Sequence, residues 1–141
     1  MAKNALFPDE VILETEHFKV SQDCEVPIPG FYILAAKRSI TSIADFTKDE
    51  EKEFAKLLVN VRKAMKEVLH IQEVYLFQNE DSEHKFHLWL FPRHEWMEQF
   101  GRKIQSVRLI MDHAEKNMRT AKIQTEVKEA ARKMRAALQH S

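Results

Sequence analysis

Short runs of apolar residues, separated by polar turns, dominate the first third of the chain. Val11 to Leu13 and Phe18 to Val20 flank the polar segment Glu14 to His17, which predicts a β-hairpin. Two prolines and Gly30 then interrupt the chain before the apolar run Phe31 to Ala36, which predicts a further strand. This region is therefore expected to supply three strands.

The next segment has the periodicity of an amphipathic helix. Thr47 followed by Glu50 three residues later is the pattern of a capping box, which marks a helix N-terminus. Apolar residues then recur at helical spacing: Phe54, Leu57, Leu58, Val61, Met65, Val68 and Leu69. We expect this helix to lie on the sheet with its apolar face inward.

Two more strands are predicted after the helix. Glu73 to Asn79 and roughly Lys85 to Phe91 are joined by the short acidic loop Glu80 to Glu83, which suits an antiparallel hairpin. Pro92 lacks a backbone N–H for a sheet ladder and is expected to end the second strand.

The remaining chain, about 98–140, reads as a helical extension. One stripe comprises Ile104, Val107, Met111, Ala114 and Met118, and another comprises Ile123, Val127, Ala130, Met134 and Leu138. Both favour packing in a core or an interface. The order of elements predicts one α+β domain over 1–141, with an antiparallel sheet of about five strands in a core of about 10–93.

Composition narrows the function classes. The 22 Lys and Arg residues equal the 22 Asp and Glu residues, so net charge gives no reason to expect binding to a nucleic acid polymer or an anionic membrane. A single cysteine, Cys24, excludes an intrachain disulfide. No signal peptide or membrane-spanning run is found, which favours a cytoplasmic protein. The two glycines, Gly30 and Gly101, exclude a P-loop and a Rossmann fingerprint.

The last predicted strand carries the chemistry. Alternation along a strand places Lys85, His87 and Trp89 on one face. The opposite face carries Phe86, Leu88 and Leu90, and the preceding strand carries Tyr75, Phe77 and Asn79 at one parity. In a matching register, one face of the sheet presents a cation, an imidazole, an amide and aromatic rings. These groups suit phosphate, ribose and base, and imidazole can accept a phosphoryl-type group.

The segment Phe86 to Arg93 resembles the signature of the histidine triad superfamily, His-x-His-x-His followed by apolar residues and often Pro-Arg. The middle histidine is preserved as His87. The resemblance implies that His87 is a nucleophile, which attacks an α-phosphate to give a nucleotidyl-histidine that water hydrolyses. It also implies a nucleotide substrate and a homodimer paired through the long helix and a sheet edge.

A second segment supports the resemblance. Asp23 to Leu34 is similar to the family's aspartate, Pro-Gly-His and apolar strand, so Asp23 is a candidate for binding ribose hydroxyls. Asn79 resembles the asparagine that precedes the triad. The resemblance covers roughly residues 10 to 93.

The chain departs from the family pattern at several positions. Lys85 and Trp89 stand in place of the outer triad histidines, although a bulge could bring His84 into the first position. Phe31 replaces the histidine after Pro-Gly, and the phosphate loop is shortened around Ser82. We nevertheless count all of these residues as candidates for contacts with nucleotide or phosphate.

Two functions remain open at this point. The first is a nucleotide hydrolase or nucleotidyl transferase, with His87 as catalytic residue and no required cofactor, although a divalent cation could accompany the substrate. The second is an inactive nucleotide-binding or protein-interaction module of the same fold. A zinc site from His84, His87, His94 and His113 is a minor alternative, disfavoured because His84 and His87 would face opposite sides of a regular strand.

Overall fold

A computed structural model describes residues 5–139 of the chain. Met1 to Asn4, at the start of the segment that shows no signal-peptide pattern, and His140, at the predicted end of the helical extension, lie outside the described residues. The strands are β1 (Val11–Glu14), β2 (Phe18–Gln22), β3 (Tyr32–Ala36), β4 (Val74–Phe77) and β5 (His87–Pro92), and the α-helices are α1 (Lys48–Val68), α2 (Ile104–Asn117) and α3 (Ala121–Leu138).

The five strands form one antiparallel sheet in the order β1-β2-β3-β5-β4. The α+β class is therefore confirmed. Gly30 precedes β3 with a φ of +86°, and an added Cβ would lie 2.7 Å from Ile71 Cδ1, so this turn requires glycine. The strand β5 lies inside the sheet, between β3 and the edge strand β4, and it ends at Pro92 as expected.

Both faces of the sheet are covered by helices. Leu34, Leu88 and Leu90 point to the face that packs against α1 and α3. Phe31 and Phe91 point to the other face, where they meet buried residues of α2. The two helices of the extension thus lie on opposite sides of the sheet, and α2 lies on the side that carries His87 and Trp89. No helix among residues 5–139 is both long and apolar enough to span a membrane.

The connection between β4 and β5 is longer than the sequence suggested. The strands stop at Phe77 and resume at His87, so the expected four-residue acidic loop is replaced by an irregular segment, 78–86. The backbone N–H of Phe86 donates to the Ile40 carbonyl at 2.5 Å, which ties this segment to the chain before α1 instead of to β4. Phe86 nevertheless packs with Leu88 and Leu90, so the predicted alternation of side chains holds from Phe86 onward.

The N-terminus of α1 contains a buried carboxylate. Glu50 closes the predicted capping box with Thr47, and its two oxygens also accept hydrogen bonds of 2.8 Å from the Arg38 guanidinium. The hydrogen bonds from Arg38, and then from the Thr47 backbone, lower the pKa of Glu50 from 4.5 to about 2. The ionised carboxylate therefore stabilises the folded state.

This carboxylate gives a pH dependence with a defined sign. A depressed folded-state pKa contributes stability that is complete above about pH 4.5 and is lost as the pH falls towards 2. We expect Glu50→Gln to be destabilised at neutral pH and to lose less stability than the natural protein across that acid window. Urea unfolding at a series of pH values measures this, with Glu51→Gln as the control from the same turn. Parallel curves for Glu50→Gln and the natural protein would contradict it.

Candidate functional site

His87 opens β5 and is paired with Ala35 of β3. Its Nδ1 lies 2.9 Å from the Lys85 carbonyl oxygen. Because a carbonyl oxygen can only accept, the neutral imidazole must carry its proton on Nδ1 to make this bond. The tautomer inferred in this way leaves an unprotonated Nε2, with a lone pair that can accept a proton or attack an electrophile.

Two cavities meet at His87 and Trp89, which line both of them. The α2 cavity has a volume of about 360 Å³ and is lined by Phe77, Gln78, Asn79, His87, Trp89, Ile104, Val107, Arg108 and Met111. The β3 cavity has a volume of about 550 Å³ and is lined by Asp23, Glu25, Ile33, Ala35, Ala36, His84, Lys85, His87 and Trp89. A molecule centred on His87 could reach either cavity or both.

Trp89 is held between aromatic neighbours. Its ring meets Phe31 edge-on at a centroid distance of 5.3 Å and Phe77 at 6.3 Å. The register pairs Phe77 with Trp89, so the two predicted sets of side chains do share this face. Phe31 was expected to contact nucleotide, but its side chain is fully buried and lines neither cavity. Phe31 packs against the indole of Trp89 within the core.

His84 and Lys85 reach the β3 cavity from the irregular segment before β5. The ring centroids of His84 and His87 are 5.8 Å apart with perpendicular planes, so the two imidazoles are neighbours and do not face opposite sides. Lys85 Nζ donates to the Lys37 carbonyl at 2.7 Å, which holds the ammonium group at the cavity edge. Ser82 lines neither cavity, and its hydroxyl accepts a hydrogen bond from the His84 N–H at 3.0 Å.

Asp23 lines the β3 cavity, and its carboxylate also shapes the turn that follows. Oδ2 accepts hydrogen bonds from the N–H groups of Val26 at 2.8 Å and Glu25 at 3.2 Å. Burial raises the pKa of Asp23, and the nearby charges of Glu25 and Glu115 raise it further, although the two hydrogen bonds oppose the shift. Hydroxyl donors of a sugar would relieve this unfavourable burial by hydrogen bonding to the carboxylate.

The sequence did not indicate the wall that α2 contributes. Ile104, Arg108 and Met111 complete the α2 cavity, opposite Asn79, which lies on the exposed connection beyond β4. Their helical spacing was visible, but spacing does not tell which surface a helix covers. Ile104 is 70% exposed, contrary to the packing expected for this stripe, because it stands at the cavity mouth.

The four histidines considered as a zinc site do not form one cluster, because only His84 and His87 are neighbours. His94 Nε2 lies 2.6 Å from the Pro29 carbonyl, and His113 contacts the rings of Trp96 and Phe100. Within residues 5–139, the group of three side chains with metal-ligating atoms close together is Glu16, His17 and Glu53, away from both cavities. Its Glu53 carboxylate already accepts hydrogen bonds from Thr15 and the His17 N–H.

No protein-family model and no curated protein matches the sequence of this chain. Solved structures do match. A zinc-bound histidine triad family protein from Mycobacterium smegmatis is 18% identical, with a TM-score of 0.61 over 94% of this chain and 86% of that one. A Hit-like protein involved in cell-cycle regulation from Bartonella henselae is 19% identical, with a TM-score of 0.58 over 97% and 98%.

A third structure is that of an enzyme. The Plasmodium falciparum diadenosine triphosphate hydrolase, solved in complex with cyclomarin A, is 13% identical, with a TM-score of 0.59 over 100% of this chain and 80% of that one. These matches extend beyond residue 93 and so include the helical extension, which the sequence motifs did not cover. The strand order and the agreement with these structures show that the chain has the fold of the histidine triad proteins.

Proposed function

We propose that this chain binds a nucleotide across the two cavities and cleaves the bond between its α-phosphate and a leaving group. The observation that carries the proposal is the position of His87: its Nδ1 is hydrogen-bonded to the Lys85 carbonyl, and its imidazole lies where the two cavities meet. A fixed tautomer with a free Nε2 is what a nitrogen nucleophile requires.

The reaction would proceed by two displacements at phosphorus. Nε2 of His87 attacks the α-phosphorus, an N–P bond forms, and the P–O or P–N bond to the leaving group breaks. The leaving group takes a proton from solvent. Water then attacks the nucleotidyl-histidine, the N–P bond breaks, and a nucleoside monophosphate leaves with the second proton going to solvent. A transferase would use another acceptor in place of water.

Other residues would bind and orient the substrate. The Asp23 carboxylate suits ribose hydroxyls, and Lys85 supplies the positive charge nearest to a phosphate in the β3 cavity. Asn79 and Trp89 line the α2 cavity, where an amide can donate to phosphate oxygens and an indole can cover an apolar ring. A divalent cation could accompany a polyphosphate substrate, and the two-step displacement does not require one.

A panel of substrates tests the proposal. The purified protein is incubated with nucleoside phosphoramidates, dinucleoside polyphosphates and nucleotide sugars, and release of the nucleoside monophosphate is followed by chromatography. We expect release from at least one class, and less release by Asp23→Asn with an increased KM. Neither release nor binding of any of these nucleotides would contradict the proposal.

The second candidate is a module that binds nucleotide without chemistry. It is favoured by Lys85, Trp89 and Phe31, which stand where the resemblance places histidines. It is also favoured by the hydrogen bond that holds Lys85 Nζ at the Lys37 carbonyl, because an ammonium group held there contributes less to the charge that develops on phosphate. Saturable nucleotide binding with no turnover across the panel would select this candidate. Turnover that depends on His87 would eliminate it.

We also expect the chain to form a homodimer through α1 and the edge of the sheet. The strand β4 pairs with β5 on one side only among the described residues, and Leu76 on this edge is 51% exposed. Light scattering coupled to size-exclusion chromatography should give twice the 16.7 kDa chain mass. Leu76→Lys should shift the population towards monomer, and Ile43→Lys, also at an exposed apolar residue, should not. A monomer mass at moderate concentration would contradict this expectation.

A further inference from the structure

We propose that the α2 cavity binds an apolar group that carries its own negative charge, and that this group is the leaving group of the substrate. The inference rests on the proposed function, since the substrate is taken to be a nucleotide centred on His87. It adds the chemical class of the part that is not the nucleotide. The argument depends on the contrast between the two cavities.

The two cavities differ in charge. The β3 cavity holds the carboxylates of Asp23 and Glu25, together with the ammonium group of Lys85. Among its described lining residues, the α2 cavity holds no carboxylate, and its one charged group is the Arg108 guanidinium. Donor-rich sugar hydroxyls therefore favour the β3 cavity, and an anion favours the α2 cavity. Since His87 lines both, a substrate with its phosphorus at His87 would place the nucleoside and the leaving group on opposite sides.

Arg108 is available to a ligand. Within residues 5–139, the structure gives its guanidinium no hydrogen bond and no salt bridge, whereas Arg93, Arg102, Arg132 and Arg135 all have carboxylate partners. A free guanidinium beside a concave surface can bind a carboxylate through two parallel hydrogen bonds.

The body of the ligand would be apolar. Phe77, Trp89, Val107 and Met111 line the cavity, and Ile104 stands at its mouth with 70% of its surface exposed. An apolar cavity of about 150 Å³ already holds benzene, so the volume of about 360 Å³ is ample for a phenyl or indole group. Burying such a group would also cover Ile104, which otherwise remains in water.

The cavity wall is held in place by the fold. The backbone N–H of Lys103, just before α2, donates to the Tyr75 hydroxyl of β4 at 2.7 Å. The hydroxyl of Ser106 donates to the Lys103 carbonyl at 2.7 Å, which closes the first turn of the helix. Arg108 and Ile104 thus sit on a helix that is tied to the same sheet as His87, so the cavity is formed before a ligand arrives.

A binding experiment tests the inference without requiring catalysis. The chain has two tryptophans, so Trp96→Phe leaves Trp89 as the reporter of the cavity. In this background, 3-phenylpropanoate and the neutral 3-phenylpropanol are titrated while Trp89 fluorescence is followed. We expect the acid to bind more tightly than the alcohol. Arg108→Gln should weaken the acid by about three- to fivefold and leave the alcohol within about twofold, the scale of an exposed ion pair.

A matched pair of charge changes provides the control. Ile104→Glu places a carboxylate at the cavity mouth in the first turn of α2, where helices tolerate acidic residues, and should weaken the acid more than the alcohol. Leu109→Glu adds the same charge on the same helix at a residue that is 55% exposed and lines neither cavity, and should weaken neither. Equal affinities for acid and alcohol, equal losses in Arg108→Gln, or no binding of the acid would overturn the inference.

A kinetic comparison separates this inference from the proposed function. Adenosine phosphoramidates of phenylalanine, of glycine and of 2-phenylethylamine present a leaving group that is apolar and anionic, anionic only, or apolar only. We expect the phenylalanine conjugate to have the highest kcat/KM, and Arg108→Gln to lower that value about three- to fivefold. Turnover of all three at equal kcat/KM would refute the leaving-group assignment alone. Binding of the acid as described, without turnover of any conjugate, would refute the catalytic proposal and the leaving-group role, and would retain the binding of an apolar anion in the α2 cavity.

Discussion

Replacing His87 by glutamine is expected to lower kcat/KM for nucleotide cleavage by about a thousandfold or more, because the nucleophile of a covalent mechanism has no substitute in the site. The Gln side chain can keep a hydrogen bond to the Lys85 carbonyl, so the fold and the two cavities should survive. The neighbouring His84 is 5.8 Å away by ring centroid and is not fixed by the same carbonyl, so it should not replace His87.

The measurement is steady-state hydrolysis of the best substrate of the panel by the natural protein and by His87→Gln. His113→Gln is the matched control, because His113 lies on α2 against Phe100 and lines neither cavity. Its kcat/KM should remain within about twofold of the natural value. A His87→Gln protein with a kcat/KM within tenfold of the natural value would show that His87 is not the nucleophile.

Replacing Arg93 by methionine is expected to give a large loss of stability, about 3 kcal/mol. Arg93 follows β5 and is 8% exposed. Its guanidinium donates to the Gly101 carbonyl at 2.9 Å and to the Ser106 hydroxyl at 3.3 Å, and it lies 5.6 Å from the centre of the Tyr75 ring. It therefore fastens the start of α2 to the sheet, and its loss would leave buried polar groups without partners.

Chemical unfolding of the two proteins measures the effect, and Arg102→Met provides the control. Arg102 forms salt bridges to Glu73 and Glu98, but all three side chains are at least 42% exposed, so its loss should cost less than about 1 kcal/mol. Because Arg93 positions α2, the Arg93→Met protein should also bind 3-phenylpropanoate less tightly. Similar losses of stability in the two variants would contradict the importance given to Arg93.

The main elements could be predicted because local signals agreed with tertiary packing. The capping box at Thr47 is present, and the apolar stripe that follows it is the face of α1 that packs on the sheet. The alternation from His87 to Phe91 also holds, since Leu88 and Leu90 face α1 while Trp89 faces α2. In both cases the residue spacing determines which side chains share a face, and one side of the sheet is buried.

Two features could not be predicted from local patterns. The segment 78–86 lies outside the strands, and the Phe86 N–H donates to the Ile40 carbonyl, a long-range contact with no local signal. The proximity of His84 in this segment to His87 likewise has no local signal. The stripe from Val107 to Ala114 indicated burial but not the surface that α2 would cover. The sequence therefore predicted the site residues on β5, but it did not predict the side of the α2 cavity that α2 forms with Arg108.

The most direct test of the account is an intact-mass measurement of the protein, quenched during turnover of a nucleoside phosphoramidate. The covalent mechanism predicts an added mass of one nucleoside monophosphate less water, acid-labile and located on the peptide that contains His87 by fragmentation. The adduct should be absent from His87→Gln and present in His113→Gln. Turnover at a measurable rate with no adduct under rapid quench, or an adduct on another residue, would contradict the central claim that His87 is the nucleophile.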